Sequence, residues 1–381
     1  MNTWQLVFMV QMLVVAVRLV LRRTPASLNA DACDRFEDQW VGDSFPPSTK
    51  SQWLEVPLRT HHLYIENERP SMVLLHGTGS AASLAWASAS DKLAVHFSIY
   101  APDLPGFGRT HFDKETFLAA TQQEVEDLYA DWLAHYIAAV KLERPIVVAH
   151  SISAFFAVQF AKKYPANLSK LILVDPAGLL PTMGTMGFYF AWLFKLGFPT
   201  KQLRGIGRVG STVLYTLWDA QKRSSRAYFW LQLNASPTAF GDQVVAKFIT
   251  AASNGLSGYW NRPALHKLVT AGVPVAFIYG ETDNLLPSTQ GRVIVEVAMG
   301  NNPDLVGIVP GAWHAPFHIQ KGDPFVETLL RAVDVACVPQ PSARLVESLV
   351  KLDPSKYAST WNLKATTRKI EQLYTQLRLV K

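Results

Sequence analysis

The sequence is short of cysteine and of charge. Only two cysteines occur in 381 residues, Cys33 and Cys337, which is too few for a disulfide framework or for metal-ligand spacing. Charged residues make up 17% of the chain, and the net charge of +6 is scattered, without the Lys/Arg block or aromatic-basic module of a nucleic-acid reader. No phosphate-cradling glycine loop and no metal-ligand cluster is present in the sequence. We therefore expect no nucleic-acid partner, no metal and no cofactor.

Apolar residues are abundant instead. They form 49% of the chain, and the mean hydropathy is +0.09, which favours membrane association over a freely soluble protein. Residues 4–21 are almost wholly apolar and are followed by Arg22 and Arg23, whereas about 20 apolar residues span a bilayer as a helix. No charged residue precedes this run, which argues against a cleaved secretory signal. We interpret residues 1–28 as a membrane anchor with the following domain cytosolic; a mitochondrial targeting segment and a buried core helix stay open as alternatives.

Apolar strand patterns alternate with helical patterns along most of the chain. After a polar connector at 29–51, the patterns predict strands at 53–58, 61–66, 71–75, 97–101, 146–149, 171–174, 273–279 and 305–309. They predict helices at 82–95, 121–140, 152–164 and 324–337, with a capping box between Thr121 and Glu124. This alternation indicates an α/β fold with a mostly parallel, doubly wound sheet. Functional sites of such sheets lie at the carboxyl ends of the strands.

The alternation of strand and helix patterns stops after the sixth predicted strand and resumes at the seventh. Residues 179–270 are rich in aromatic side chains between polar turns, and we interpret them as a helical cap. The predicted core therefore has two parts, 52–178 and 271–340. The tail, 341–381, is basic; a solvated terminal helix and a membrane-surface helix are both compatible with it.

One stretch carries a signature of nucleophilic chemistry. A β-branched run ends at Ala149-His150-Ser151-Ile152-Ser153, and a helical pattern follows at once. A serine on so tight a turn has an exposed Oγ and a strained backbone, and the close approach of strand and helix requires small residues two positions before and after it. Ala149 and Ser153 meet that requirement. An ordinary serine N-cap is the alternative interpretation.

Two further strand ends supply the partners that a serine nucleophile needs. In chain order, Ser151, Asp283 and His314 follow three predicted strands. Ser151 would be the nucleophile, His314 the general base and then acid, and Asp283 the carboxylate that orients the histidine. Asp175, at another strand end, is an alternative to Asp283.

Other residues at the same edge have supporting roles in this interpretation. The backbone N–H groups of Ile152 and Thr78 are the candidate donors of an oxyanion hole. We expect His76 and His150 to brace neighbouring loops, and Asp103 to order the Pro-Gly turn that follows it.

The ordered set of motifs resembles the alpha/beta-hydrolase superfamily from about residue 53 to residue 338. The motifs are His76-Gly77-Thr78-Gly79, residues 103–108, His150-Ser151, residues 279–283 and residues 311–314. The run at 173–178 and the large cap resemble the lysophospholipase and acyltransferase-like branch that includes lipid-droplet lipase coactivators. That branch carries a His-x-x-x-x-Asp motif at the catalytic histidine, whereas Ile319 occupies the Asp position here. The resemblance implies an alpha/beta-hydrolase fold, and the missing Asp favours hydrolysis over acyl transfer.

The resulting hypothesis is a membrane-associated serine hydrolase that cleaves an acyl ester, of a lipid or lysolipid, through an acyl-enzyme. Its expected partners are the lipid substrate and a membrane surface, and no sequence feature specifies an oligomeric state. The alternatives are acyl transfer to a lysolipid and a non-catalytic lipase coactivator or scaffold at a lipid surface.

Overall fold

The computed structural model describes residues 30–110, 112–178, 241, 243, 268, 271–283, 285–286, 305–318 and 323–335. The predicted anchor (1–28) and basic tail (341–381) lie outside the described residues, as does the predicted cap (179–270) apart from residues 241, 243 and 268. Among the helices that are described, none has both the length and the apolar character needed to cross a bilayer.

Eight strands are described, and we number them in chain order. They are β1 (Lys50–Val56), β2 (Leu58–Ile65), β3 (Ser71–Leu75), β4 (Ser98–Pro102), β5 (Ile146–His150), β6 (Lys170–Val174), β7 (Val275–Gly280) and β8 (Val306–Val309). The described helices are α1 (Ala30–Ser44), α2 (Ala82–Trp86), α3 (Ser90–Leu93), α4 (Lys114–Ala119), α5 (Gln122–Ala139), α6 (Ile152–Lys163) and α7 (Asp323–Val335).

The strands form one sheet in the order β1-β2-β4-β3-β5-β6-β7-β8. β1 and β2 form an antiparallel hairpin, and β2 pairs antiparallel with β4. From β4 to β8 every neighbouring pair is parallel. The predicted mostly parallel sheet is therefore confirmed, and the carboxyl ends of β3 to β8 share one edge.

Helices cover both faces of the sheet because successive residues of its central strands point to opposite sides. Val73 and Leu75 of β3 belong to the apolar core shared with α5 and α6. Met72 and Leu74 belong to the core shared with α2, α3 and α7. Burial on both faces explains why these strands read as continuous apolar runs in the sequence.

Helix α5 begins where the sequence predicts it. The Thr121 side chain accepts from the Glu124 backbone N–H, and the Glu124 carboxylate accepts from the Thr121 N–H at 2.6 Å. This reciprocal pair satisfies two N–H groups that a helix start otherwise leaves open. The predicted capping box is confirmed.

Two sequence predictions are wrong. The segment 29–51 is not a connector throughout, because α1 occupies Ala30–Ser44. The sequence of this helix is largely polar, and the helix is stabilised by contacts far along the chain, such as the bond from Trp40 Nε1 to the Ser83 carbonyl at 3.0 Å. The single helix predicted at 82–95 is two short helices, α2 and α3. Apolar periodicity did not reveal the turn between them, since residues on both sides of it are buried.

Candidate active site

Ser151 occupies a strained turn between β5 and α6. Its backbone has φ 56° and ψ −119°, a conformation that residues with a Cβ rarely adopt. Its side chain makes no hydrogen bond that caps α6, so the interpretation as an ordinary serine N-cap is wrong. The turn directs the hydroxyl towards the carboxyl edge of the sheet instead.

Ala149 and Ser153, the two small residues on either side of Ser151, are both fully buried, as the tight turn requires. Ser153 does more than leave space. Its Oγ accepts from the His150 backbone N–H at 2.9 Å and lies 2.8 Å from the His150 carbonyl and 3.1 Å from the Leu75 carbonyl, either of which can accept its proton. The hydroxyl thus joins the end of β5 to the end of β3. The requirement for a small residue at this position does not predict these hydrogen bonds.

The three residues predicted as a catalytic set lie together at the carboxyl edge. His314 Nε2 is 2.9 Å from Ser151 Oγ, and His314 Nδ1 is 2.8 Å from Asp283 Oδ2. The other Asp283 oxygen, Oδ1, accepts from the backbone N–H groups of Leu285 at 2.7 Å and Leu286 at 3.0 Å. Loops after β5, β7 and β8 supply the three side chains, all of which are buried.

This geometry selects one tautomer of His314. Asp283 is a carboxylate that only accepts, so Nδ1 carries the proton and Nε2 is left with a lone pair towards the Ser151 hydroxyl. A neutral imidazole placed in this way can take the hydroxyl proton while the carboxylate stabilises the imidazolium that forms. The arrangement is therefore able to activate Ser151 for attack on an acyl carbon.

The loop predicted to form the oxyanion hole lies against the serine. A Cβ built on Gly77 would stand 2.6 Å from His150 Nδ1 and 3.1 Å from Ser151 Cβ, so only glycine allows this approach. Thr78 follows directly, and Ile152 is the first residue of α6, where a helix leaves its N–H free of intrahelical partners. Both predicted donors thus belong to segments in contact with Ser151.

His76 and His150 brace loops, as the sequence analysis expected. His76 accepts the Leu104 N–H at Nε2, at 3.0 Å, and donates from Nδ1 to the Gly77 carbonyl at 2.8 Å. His150 donates from Nε2 to the carbonyl of His314 at 2.6 Å. Burial, followed by the neighbouring charge of His314, holds the pKa of His150 well below its ordinary value, which keeps the ring neutral and able to donate from one nitrogen only.

Asp103 orders the turn after β4, also as expected. Its carboxylate accepts from the backbone N–H groups of Arg109 at 3.0 Å and Ala82 at 2.8 Å. Gly108 has φ 54°, and a Cβ there would stand 2.3 Å from the Asp103 carboxyl carbon. The turn can close over the carboxylate only because this residue is glycine.

A buried charged network next to this turn was missed. His61 Nδ1 lies 2.8 Å from Asp103 Oδ2; burial disfavours the charged imidazole, but the hydrogen bond and the charge of Asp103 outweigh it and raise the pKa of His61. Arg109 lies 2.7 Å from Glu37 and 2.8 Å from Asp38, both on α1. His61 and Asp103 are 42 residues apart in the chain, and Arg109 is more than seventy residues from Glu37 and Asp38. No local pattern in the sequence could therefore identify the network.

Within the part of the chain that the structure describes, two sets of side chains have ligand-type atoms within 4.8 Å of one another: His150, Asp175 and His314, and Glu37, His61 and Asp103. The ring nitrogens of His314 already bind Ser151 and Asp283. In the second set the guanidinium of Arg109 occupies the position beside Glu37 and would repel a cation. Neither set fits a metal ion.

Comparison with known proteins gives a family match. A sequence model of the alpha/beta hydrolase family matches residues 72–328, well over half of the chain. The chain belongs to the alpha/beta hydrolase family. This confirms both the fold class and the superfamily that the motifs predicted.

Curated relatives include proteins of the branch that the sequence resembles. The chain is 30% identical over 238 residues to the Abhydrolase domain-containing protein abhd-5.2 of Caenorhabditis elegans, covering 57% of this chain and 50% of that protein. It is 28% identical over 242 residues to the 1-acylglycerol-3-phosphate O-acyltransferase ABHD5 of Sus scrofa, covering 57% of this chain and 64% of that one. The chain thus matches between half and two thirds of the length of these relatives.

Solved structures with the same fold include lipases and esterases. A putative lipase of Acinetobacter baumannii has a TM-score of 0.61 and 17% identity, covering 82% of this chain and 99% of its own. A bacterial membrane phospholipase A also has a TM-score of 0.61 and 17% identity, covering 87% of this chain and 98% of its own. At this identity the likeness establishes the fold.

Proposed function

We propose that this protein is a serine hydrolase that cleaves an acyl ester of a lipid or lysolipid through a covalent acyl-enzyme. The observation that carries the proposal is the unbroken hydrogen-bonded chain from Ser151 through His314 to Asp283. Ser151, at the start of this hydrogen-bonded chain, lies on the strained turn where a nucleophile is expected in this family.

The geometry supports a two-step reaction. Ser151 Oγ attacks the ester carbon while its proton passes to His314 Nε2, and the N–H groups of Ile152 and Thr78 donate to the developing oxyanion. The imidazolium then gives its proton to the leaving alcohol, and the C–O bond of the ester breaks. A water molecule, deprotonated by the same nitrogen, then attacks the acyl carbon. The bond from that carbon to Ser151 Oγ breaks, His314 returns the proton to Oγ, and the fatty acid leaves.

A lipid substrate is supported by the chain's apolar composition and by its relatives. Almost half of the residues are apolar. The relatives from Sus scrofa and Rattus norvegicus are described as 1-acylglycerol-3-phosphate O-acyltransferases, and one structural neighbour is described as a membrane phospholipase A. We infer an acyl ester with an apolar chain as the substrate class.

Membrane attachment through residues 1–28, with the hydrolase domain on the cytosolic side, is part of the same proposal. It rests on the apolar run and on Arg22 and Arg23 that follow it. Full-length chain should stay in the membrane pellet after carbonate extraction, and a chain lacking residues 1–28 should be released. Release of the full-length chain would contradict the anchor, and import into mitochondria would favour the targeting alternative.

Acyl transfer to a lysolipid is the second candidate, and the description of the relatives from Sus scrofa and Rattus norvegicus as acyltransferases favours it. It would use the same acyl-enzyme, with a lysolipid hydroxyl in place of water. The Asp of the His-x-x-x-x-Asp motif is replaced by Ile319, so the proposal places hydrolysis first.

The decisive assay separates the two reactions. Purified wild type, Ser151→Ala and the control Ser169→Ala are incubated with an acyl-labelled lysophospholipid, with and without unlabelled lysophosphatidic acid as acceptor. Free fatty acid from wild type and Ser169→Ala, and its loss by about 10⁶-fold in Ser151→Ala, is the expected result. Labelled diacyl product without fatty acid would favour transfer, and equal products from Ser151→Ala would refute the proposed chemistry.

A further inference from the structure

A second carboxyl lies behind the one that contacts His314. Asp175 follows β6, is fully buried and has φ 40°. Its Oδ1 accepts from the Gly280 backbone N–H at 2.9 Å. Its Oδ2 is buried and has no hydrogen-bond partner among the described residues. An Asp175 oxygen lies within 4.8 Å of a ring nitrogen of His314, whose Nδ1 is 2.8 Å from Asp283 Oδ2, so the two carboxyl groups are neighbours.

The donors around the two carboxyls are unequal. Asp283 accepts three hydrogen bonds, from His314 and from the N–H groups of Leu285 and Leu286, which together stabilise a negative charge. From the described residues, Asp175 accepts only the bond from Gly280. A second negative charge at Asp175 would be repelled by Asp283 and would leave Oδ2 without any compensating group, at a large desolvation cost.

We propose that Asp175 is a positioning residue of this site, which holds a proton on Oδ2 and donates it to the Asp283 carboxylate. A protonated carboxyl has the donor that the buried oxygen otherwise lacks, and it removes the repulsion between the two groups. The bond orients Asp283 from behind while His314 binds it from the front. This role rests on the proposed hydrolase activity; the protonation itself does not.

The surrounding groups agree with this assignment. Burial, followed by the charge of Asp283, raises the pKa of Asp175 well above its ordinary range. Burial, followed by the charges of Asp175 and Asp283, raises the pKa of Tyr279, so it stays neutral. His150, which has a ring nitrogen within 4.8 Å of an Asp175 oxygen, is kept neutral by burial. His314 lies within the same distance, and its hydrogen-bonded carboxylate partner is Asp283.

Protonation of Asp175 has a measurable linkage to pH. The unfolded chain releases this proton near 3.8, the ordinary value for an aspartate, whereas the folded chain keeps it to a higher pH. The stabilisation is therefore complete below the unfolded value and is lost as pH rises towards the folded one. Between the two, the ratio of folded to unfolded protein falls about tenfold per pH unit because the folded state binds one more proton.

The test compares full-length Ser151→Ala with full-length Ser151→Ala carrying Asp175→Asn. Asparagine keeps an acceptor for Gly280 and a donor for Asp283 but cannot titrate. Urea unfolding is followed from about pH 5 to 8. Relative to the Asn chain, the Asp175 chain should lose stability as pH rises, by up to about tenfold per pH unit until the folded pKa of Asp175 is reached. Asp127→Asn, on the exposed side of α5 with a side chain 49% exposed, is the control and should show no such loss.

Turnover gives the second readout, in chains that retain Ser151. Asp175→Asn should keep kcat within a few fold of wild type, whereas Asp175→Ala should lose about 10- to 100-fold in kcat with little change in KM, since it lacks the donor to a charged group. An Asn chain as inactive as Asp283→Asn would overturn the proposal, because the charge of Asp175 would then be required.

Equal pH dependence of unfolding with Asp and Asn at position 175 would overturn it as well. If the pH dependence is present while wild type cleaves no acyl ester, the proposed hydrolase activity fails and the protonated pair stands. The two failures are therefore distinguishable.

Discussion

At position 153 a serine occupies the place where glycine is usual in this type of turn. The hydroxyl is fully buried and bonds to the backbone of His150 and Leu75. These two residues precede the nucleophile and the candidate oxyanion loop. Serine at position 153 therefore meets the steric requirement of the turn and also stabilises the arrangement of both loops.

Ser153→Ala should destabilise the protein by about 1–2 kcal/mol, because the buried His150 N–H loses its acceptor. Ser153→Leu should be more severe, since the larger side chain would separate β5 from α6 and move the Ile152 N–H away from the oxyanion. Thermal unfolding and turnover of acyl esters by the folded protein measure the two effects. Full turnover by Ser153→Leu would show that the turn is not tight.

The sequence predicts the residues of the site better than their protonation. Ser151, Asp283 and His314 could be identified because each follows an apolar strand and they occur in the chain order expected of this family. The proton on Asp175 could not be predicted, because it depends on burial and on the unequal distribution of backbone donors between two carboxyls that are over one hundred residues apart.

At the scale of elements, β2 contains a histidine that makes stability sensitive to acid. His62 bonds through Nδ1 to the Tyr136 hydroxyl at 2.9 Å. Burial, and then the charge of His61, lowers the pKa of His62 to about 4. Below the ordinary pKa of 6.5, His62 is protonated in the unfolded chain but stays neutral in the folded chain. The free energy of unfolding therefore falls as pH decreases from 6.5 towards 4.

Replacing His62 with Gln should therefore reduce the loss of stability between pH 6.5 and 4 by roughly 3 kcal/mol. His61 adds no slope in that range, because its pKa is raised and it is protonated in both states. Urea unfolding at several pH values measures the difference. Identical acid dependence with His and Gln at position 62 would contradict the assignment.

The docking of α1 is the second feature at this scale. Arg109 joins the turn after β4 to the buried carboxylate of Glu37. The sequence of α1 is polar overall, and its apolar residues at helical spacing, Cys33, Phe36 and Trp40, are too few to distinguish a helix from a connector. Its position is specified by charge pairing and by the bond from Trp40 to Ser83, both of which exist only in the folded chain.

Arg109→Leu should destabilise the protein by about 2 kcal/mol, since it leaves Glu37 buried without its ion partner. The loss is limited because burial, and then the charge of Asp103, raises the pKa of Glu37, and the neutral acid can remain bonded to Ser83. Amide hydrogen exchange in α1 should become faster. Arg59→Leu is the control, because the side chain of Arg59 is 53% exposed. Unchanged amide protection of α1 in Arg109→Leu would contradict the role of Arg109 in docking this helix.

At the scale of the whole molecule, the parallel sheet explains why residues from distant parts of the chain meet. β5, β7 and β8 end at one edge, so loops that begin near residues 150, 280 and 310 converge there. The alternation of apolar strands and helices predicts this architecture, because burial of both sheet faces leaves a simple sequence pattern. Contacts between polar groups on separate elements, including those of α1, leave no such pattern.

The central claim is that Ser151 is a nucleophile activated by His314 and Asp283. Reaction of the native full-length protein with a fluorophosphonate probe tests it most directly, because the probe bonds covalently to an activated serine Oγ. We expect labelling of wild type and of the control Ser169→Ala, and none of Ser151→Ala or of heat-unfolded wild type. Absence of label on folded wild type, or equal labelling of folded Ser151→Ala, would contradict the account.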